Sequence, residues 1–136
     1  NPVDFANSFL TRMAKEFEIV QGLFYKFDAE SNNFEPIADY AFYGEEKPQP
    51  FRLGEGLSGQ AARDKKMIYL TDLPLNYRKV VSGLGNREPK NLALIPIVHD
   101  DKVVALVELA FFKPLESAPL AMLEKILNNL SNHFEK

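Results

Sequence analysis

Glu108 stands in the middle of Val103-Val104-Ala105-Leu106-Val107-Glu108-Leu109-Ala110-Phe111-Phe112, an apolar run that reads as a strand. Alternation puts it on one face with Leu106 and Ala110. A carboxylate among such neighbours is costly unless it is hydrogen-bonded or faces a wet cavity. It is therefore either a ligand contact or a structural group satisfied by a loop amide. Gln21, inside the apolar run 18–27, supports the same argument more weakly. Tyr40, Tyr69 and Tyr77 either line a pocket or are core rings with a wet hydroxyl. The Ser82-Gly83-Leu84-Gly85 segment either turns backbone amides inward or stops a helix. Gln21, Tyr40, Tyr69, Tyr77, Ser82, Gly83 and Glu108 form the candidate ligand-binding set. No candidate catalytic or metal-ligating group emerges: there is no nucleophile elbow, no His with a carboxylate orienter and no ligand spacing. No cofactor is expected.

The stretch Leu53-Gly54-Glu55-Gly56-Leu57-Ser58-Gly59-Gln60-Ala61-Ala62 spells G-x-G-x-x-G, with Asp72 where a dinucleotide unit would place its ribose acid. Such a unit needs a buried strand before the glycines and a full crossover helix before a second parallel strand. Pro48 and Pro50 break the upstream stretch, and only a short Ala-rich run precedes Lys65-Lys66. That context disfavours the dinucleotide reading, and no Gly-Lys-Ser/Thr ending supports a P-loop.

The elements that would position these groups follow from periodicity. Residues 1–17 carry Phe5, Phe9, Leu10, Met13 and Phe17 at helical spacing. Residues 18–27 and 34–43 read as a hairpin of two strands, the first buried on both faces. Residues 67–71 form a short strand, and 73–85 a loose helix. Residues 91–99 and 102–112 form a second hairpin about Asp100-Asp101. A final helix, capped by Ser117 with Pro119 in its first turn, carries Leu120, Leu123, Ile126, Leu127, Leu130 and Phe134. The expected architecture is α+β. A central antiparallel sheet of five or six strands carries the N- and C-terminal helices on one face and a lid with short helices over a pocket on the other. Strands 18–27 and 102–112 should be neighbours, with 67–71 at or near an edge.

A chain of 136 residues suits one domain, and 46% hydrophobic residues with eleven Phe can fill one core. The net charge of −3 gives no general attraction to nucleic acid or anionic membrane. There is no cysteine, hence no disulfide and no thiolate chemistry. No apolar run approaches a membrane span and no signal peptide is visible, so neither membrane insertion nor nucleic-acid binding is expected and a cytoplasmic location is. Beginning at Asn1, the chain is expected to be a single domain excised from a longer protein.

Four segments in order carry a family resemblance: Leu53-Gly-Glu-Gly-Leu-Ser-Gly-Gln-Ala, Tyr77-Arg-Lys-Val-Val-Ser-Gly-Leu-Gly, Leu94-Ile-Pro-Ile and Val104-Ala-Leu-Val-Glu-Leu-Ala. Over essentially its whole length the chain resembles the GAF domain family. The resemblance implies a small-molecule sensor or dimerisation module of a bacterial signalling protein, such as a sensor histidine kinase or response regulator, with its effector in the same chain. Members that reduce free methionine sulfoxide, and members that attach a bilin, use cysteine, which is absent here. The dispersed Asn-Lys-Phe-Asp-Glu set of cyclic-nucleotide members is not found, and His99 and His133 read as surface residues rather than haem ligands. A non-catalytic sensor is therefore expected, with a ligand-free dimerisation and relay domain as the alternative.

Two expectations concern partners. The terminal helices, wide in their apolar stripes, are expected to form a parallel homodimer. Residues 52–90 hold eight basic side chains against four acidic, a net +4 that leaves −7 for the rest. This basic lid either draws an anionic small molecule to the pocket mouth or simply keeps exposed helical pieces solvated. Glu108 argues the other way if it faces the ligand, and suggests a group that also donates a hydrogen bond, as a carboxylic acid with an amine or hydroxyl would.

Overall fold

The computed structural model describes residues 1–41, 48–71, 80–82, 85–87 and 89–131, with the backbone alone for 80–82 and 85–87. Helix α1 spans Pro2–Phe17. Asn1 caps it, its side-chain oxygen accepting from Val3 N–H at 2.9 Å and Asp4 N–H at 3.4 Å. These are donors that a first turn leaves unpaired. Pro2 follows, where a missing N–H costs little. Glu18 then adopts the left-handed conformation (φ 54°) and ends the helix. The first strand consequently starts at Gln21 rather than at residue 18.

The remaining elements are β1 (Gln21–Asp28), β2 (Asn33–Tyr40), α2 (Gly56–Asp64), β3 (Ile68–Leu70), β4 (Val80–Ser82), β5 (Gly85–Arg87), β6 (Asn91–His99), β7 (Lys102–Phe111) and α3 (Ser117–Asn128). Five strands form one sheet in the order β2-β1-β7-β6-β3, with every pairing antiparallel. The two long buried strands are neighbours, and β3 is an edge. Edge strand β2 accommodates Pro36, which could not donate to a central ladder. The β6–β7 turn places both Asp100 and Asp101 at positive φ (50° and 65°), the twist a two-residue hairpin demands.

Two sequence expectations need correction. The helix expected over 73–85 is contradicted at 80–82, where β4 pairs antiparallel with β5. Val80 and Val81 are β-branched and stiff, which favours extended backbone. Residues 72–79 and 83–84 lie outside the described set. Ser117 is not the cap of α3 but its first residue; Glu116 precedes it, and its carbonyl accepts from Leu120 N–H at 3.1 Å.

The sheet separates two apolar clusters. On one side Phe9, Leu10 and Met13 of α1 and Leu123 and Leu127 of α3 pack against Phe24, Ile95, Val107 and Leu109. On the other, Ala61 and Ala62 of α2 pack against Leu23, Leu92, Leu94 and Leu106. Each large side chain so buried contributes about 1.5–3 kcal/mol. Helices therefore cover one face, and α2 alone among the described helices covers the other. No described helix is long and apolar enough to cross a membrane.

Candidate functional site

The glycine-rich stretch folds as a tight turn into α2. Gly54 and Gly56 lie at positive φ (85° and 67°), which side chains seldom tolerate. Gly54 N–H donates to Gly59 O at 2.8 Å, Glu55 N–H to Arg52 O at 2.9 Å, and Arg52 N–H to the Glu55 carboxylate at 2.8 Å. Because Glu55 bonds back to Arg52, it gives α2 no side-chain cap. The strand after α2 runs antiparallel to β6, so G-x-G-x-x-G serves here as a turn rather than a dinucleotide crossover.

This turn holds the start of α2 over the sheet. Glu108 pairs across the ladders with Leu23 and Leu94, residues of the α2-side cluster. Glu108 is 8% exposed, and Ser58 Oγ donates to its Oε2 at 2.5 Å. A charge-assisted bond of this length offsets much of the cost of burying a carboxylate. It also places the protein's own negative group against the first turn of α2, where the helix dipole favours an anion.

Beside this pair opens a cavity of about 290 Å³. The sheet contributes Tyr25, Leu92, Leu94 and Glu108; the connector before α2 contributes Gln49, Pro50 and Phe51; and residues 55–58 form the rim. Tyr25 meets Phe51 edge-on at 4.9 Å between ring centroids, and Phe51 stacks on Phe34 at 4.9 Å. The lining is thus apolar and aromatic on one side and acidic with a hydroxyl on the other. Among the described residues, no group of three or more potential ligands gathers to hold a metal ion.

Of the seven residues expected to bind a ligand, Glu108 alone lines this cavity among those described. Gln21 shares its face, paired with Ala110, but lies outside the lining; it is 2% exposed, and its Nε2 donates to Ala41 O at 3.5 Å. Tyr69 pairs with Ala93 on the face of the terminal helices, and its hydroxyl accepts from Leu115 N–H at 2.7 Å. Tyr40 turns to that same face for a different reason. Phe24 pairs with Ala38 but Tyr25 pairs with Pro36, so Ile37 is an extra residue in β2. One inserted residue exchanges the faces of every later side chain. Without that bulge, Tyr40 would share the face of Phe34. Tyr77, Gly83 and the side chain of Ser82 lie outside the described residues.

Ser58, Tyr25 and Phe51 also line the cavity, although their sequence context does not single them out. Ser58 was legible only as part of a glycine motif; a hydroxyl three residues into a helix gives no sign of which strand it will face. None of the described basic side chains of residues 52–90 is among those that line this cavity. Arg63 pairs with Asp64 at 3.2 Å and Lys65 with Asp101 at 3.0 Å.

An antiparallel sheet flanked by terminal helices, with a short helix over a cavity on its other face, defines an α+β sandwich fold. The GAF domain family model matches residues 2–135, and the chain belongs to that family. The GAF domain of an Acinetobacter phosphoenolpyruvate-protein phosphotransferase superposes with a TM-score of 0.76 at 16% identity, over 96% of this chain and 80% of that one. The free methionine-R-sulfoxide reductase of Neisseria meningitidis, in complex with its substrate, gives 0.75 at 14% identity, over 98% and 78%. A GAF domain/HD domain protein of Geobacter sulfurreducens gives 0.70 at 17% identity, over 97% and 93%. No curated protein matches the chain. The fold thus hosts both regulatory domains and enzymes.

Proposed function

We propose that this chain is a non-catalytic small-molecule-sensing domain of a bacterial signal-transduction protein, a sensor histidine kinase or response regulator. It would work in the cytoplasm and pass its signal to an effector in the same chain. The observation that carries the reading is the part-buried Glu108–Ser58 pair at the wall of a partly apolar cavity. That pair links the helix over the cavity to a central strand whose other face packs on α1 and α3. A ligand that competes for the pair therefore acts on both layers. The absence of cysteine supports a non-catalytic role, because reduction of a sulfoxide by thiol–disulfide exchange needs a thiol.

Mass spectrometry of the purified domain tests the reading under native and then denaturing conditions. A stoichiometric small molecule that is lost on denaturation is the expected result. Turnover of free methionine sulfoxide would overturn the non-catalytic part.

A second reading, a ligand-free dimerisation and relay domain, is favoured by two observations. The rings of Tyr25, Phe27, Phe34 and Phe51 fill much of the α2-side face, and Val3 and Met122 stand exposed on α1 and α3. Either reading accommodates a homodimer through the terminal helices. The relay reading gains if no molecule co-purifies and light scattering shows a dimer.

A further inference from the structure

A second cavity, of about 340 Å³, opens at the end of the sheet where α1 hands over to β1 and β7 to α3. Among the described residues it shares no lining with the cavity beside Glu108. Phe17, Val20, Phe112, Pro114 and Leu115 give it an apolar wall. Phe17 and Leu115 belong to the cluster under the terminal helices, whereas Val20 packs against the cluster under α2, so the cavity lies at the sheet's end rather than on either face. Its connector wall is held from two other strands. Asn91 Nδ2 donates to Phe111 O at 3.4 Å and to Phe112 O at 3.2 Å, and Leu115 N–H donates to the Tyr69 hydroxyl at 2.7 Å. The hollow is therefore preformed, with a volume at the small end of ligand pockets.

Glu18 and Lys113 complete the lining; both are exposed and stand at the mouth with opposite charges. Among the described residues neither enters an ion pair, with the other or elsewhere. Glu18 also directly follows the last residue of α1, where the carbonyl end of a helix favours a cation. One side of the mouth thus suits an ammonium group and the other a carboxylate, above an apolar floor. We infer that this cavity binds a small zwitterion with an apolar body, a free apolar amino acid: ammonium at Glu18, carboxylate at Lys113, side chain among Phe17, Phe112 and Leu115. A ligand so placed bridges the end of α1 to the connector that leads into α3, and so ties together the two helices of one face. The site is separate from the cavity of the sensor reading and stands or falls without it.

Three probes share one body: phenylalanine with both charges, 2-phenylethylamine with the ammonium alone, and 3-phenylpropanoate with the carboxylate alone. Each is titrated at millimolar concentration into the isotope-labelled domain, with amide shifts followed at residues 17, 18, 20, 112, 113 and 115. The amino acid is expected to bind, and each single-charge probe about threefold to tenfold more weakly, the modest gain of a solvent-exposed charge pair. Glu18→Gln and Lys113→Met each remove one charge at an exposed position, where substitution seldom disturbs the fold. Glu18→Gln should bring phenylalanine down to the affinity of 3-phenylpropanoate, and Lys113→Met down to that of 2-phenylethylamine. Phenylalanine binding no tighter than either single-charge probe, or unmoved by both substitutions, overturns the assignment. Shifts confined to residues 56–58, 94 and 108 also overturn it, because the amino acid then occupies the other cavity, and they leave the sensor reading standing. No shift with any probe overturns it as well.

Discussion

Replacing Gly59 by Ala tests whether the glycine-rich stretch is a packing device. On helix propensity alone, Gly→Ala within a helix stabilises by about 1 kcal/mol. The structure opposes this. A Cβ on Gly59 would lie 2.6 Å from Arg52 O, 2.9 Å from Gly54 C and 3.0 Å from Gly54 N. All three are backbone atoms of a turn already tied by the Gly54–Gly59 and Glu55–Arg52 hydrogen bonds. Relieving the clash costs about 1–3 kcal/mol of strain, and parting Gly54 N–H from Gly59 O costs about 1 kcal/mol more. The net expectation is a loss of about 1–3 kcal/mol, or roughly 4–10 °C in Tm for a domain of this size. Gly56→Ala is the control: its Cβ meets nothing within 4 Å, so only the strain of φ 67° applies, about 1–2 kcal/mol. Urea melts of the two variants, read by circular dichroism, measure both losses. A Gly59→Ala domain as stable as the parent, or more so, refutes the close-packing argument, because propensity would then have prevailed.

Two further substitutions probe the junctions around α3. Asn128 Oδ1 accepts from Val98 N–H at 3.2 Å, next to the register shift between Ile97 and Val98. Asn128→Ala should cost about 1–2 kcal/mol by urea melt, and Asn128→Asp, which keeps an acceptor, should cost less. Tyr69→Phe removes the acceptor for Leu115 N–H and should cost about 1 kcal/mol by urea melt. A variant as stable as the parent would refute a structural role for this hydroxyl.

Hydrophobic periodicity carried much of the architecture into the sequence. The stripe of Phe9, Met13, Leu123 and Leu127 and the twin buried runs around Phe24 and Val107 are one-dimensional patterns. A helix or central strand can satisfy such patterns in few ways. Mid-strand Glu108 was legible for the same reason, since a carboxylate in an apolar run must find a partner wherever the strand goes. Which partner it finds was not. The Ser58 hydroxyl lies fifty residues away in sequence, and it reaches Glu108 only because three glycines let the turn before α2 close on itself. Tyr40 shows the opposite limit. Its hydroxyl and ring suit a pocket, but one extra residue at Ile37 rotates it to the helical face, and nothing in the local pattern marks that insertion. Alternation along a strand is a property of the chain; the register between strands, which decides what each face meets, is set only when the sheet assembles and both of its faces are packed.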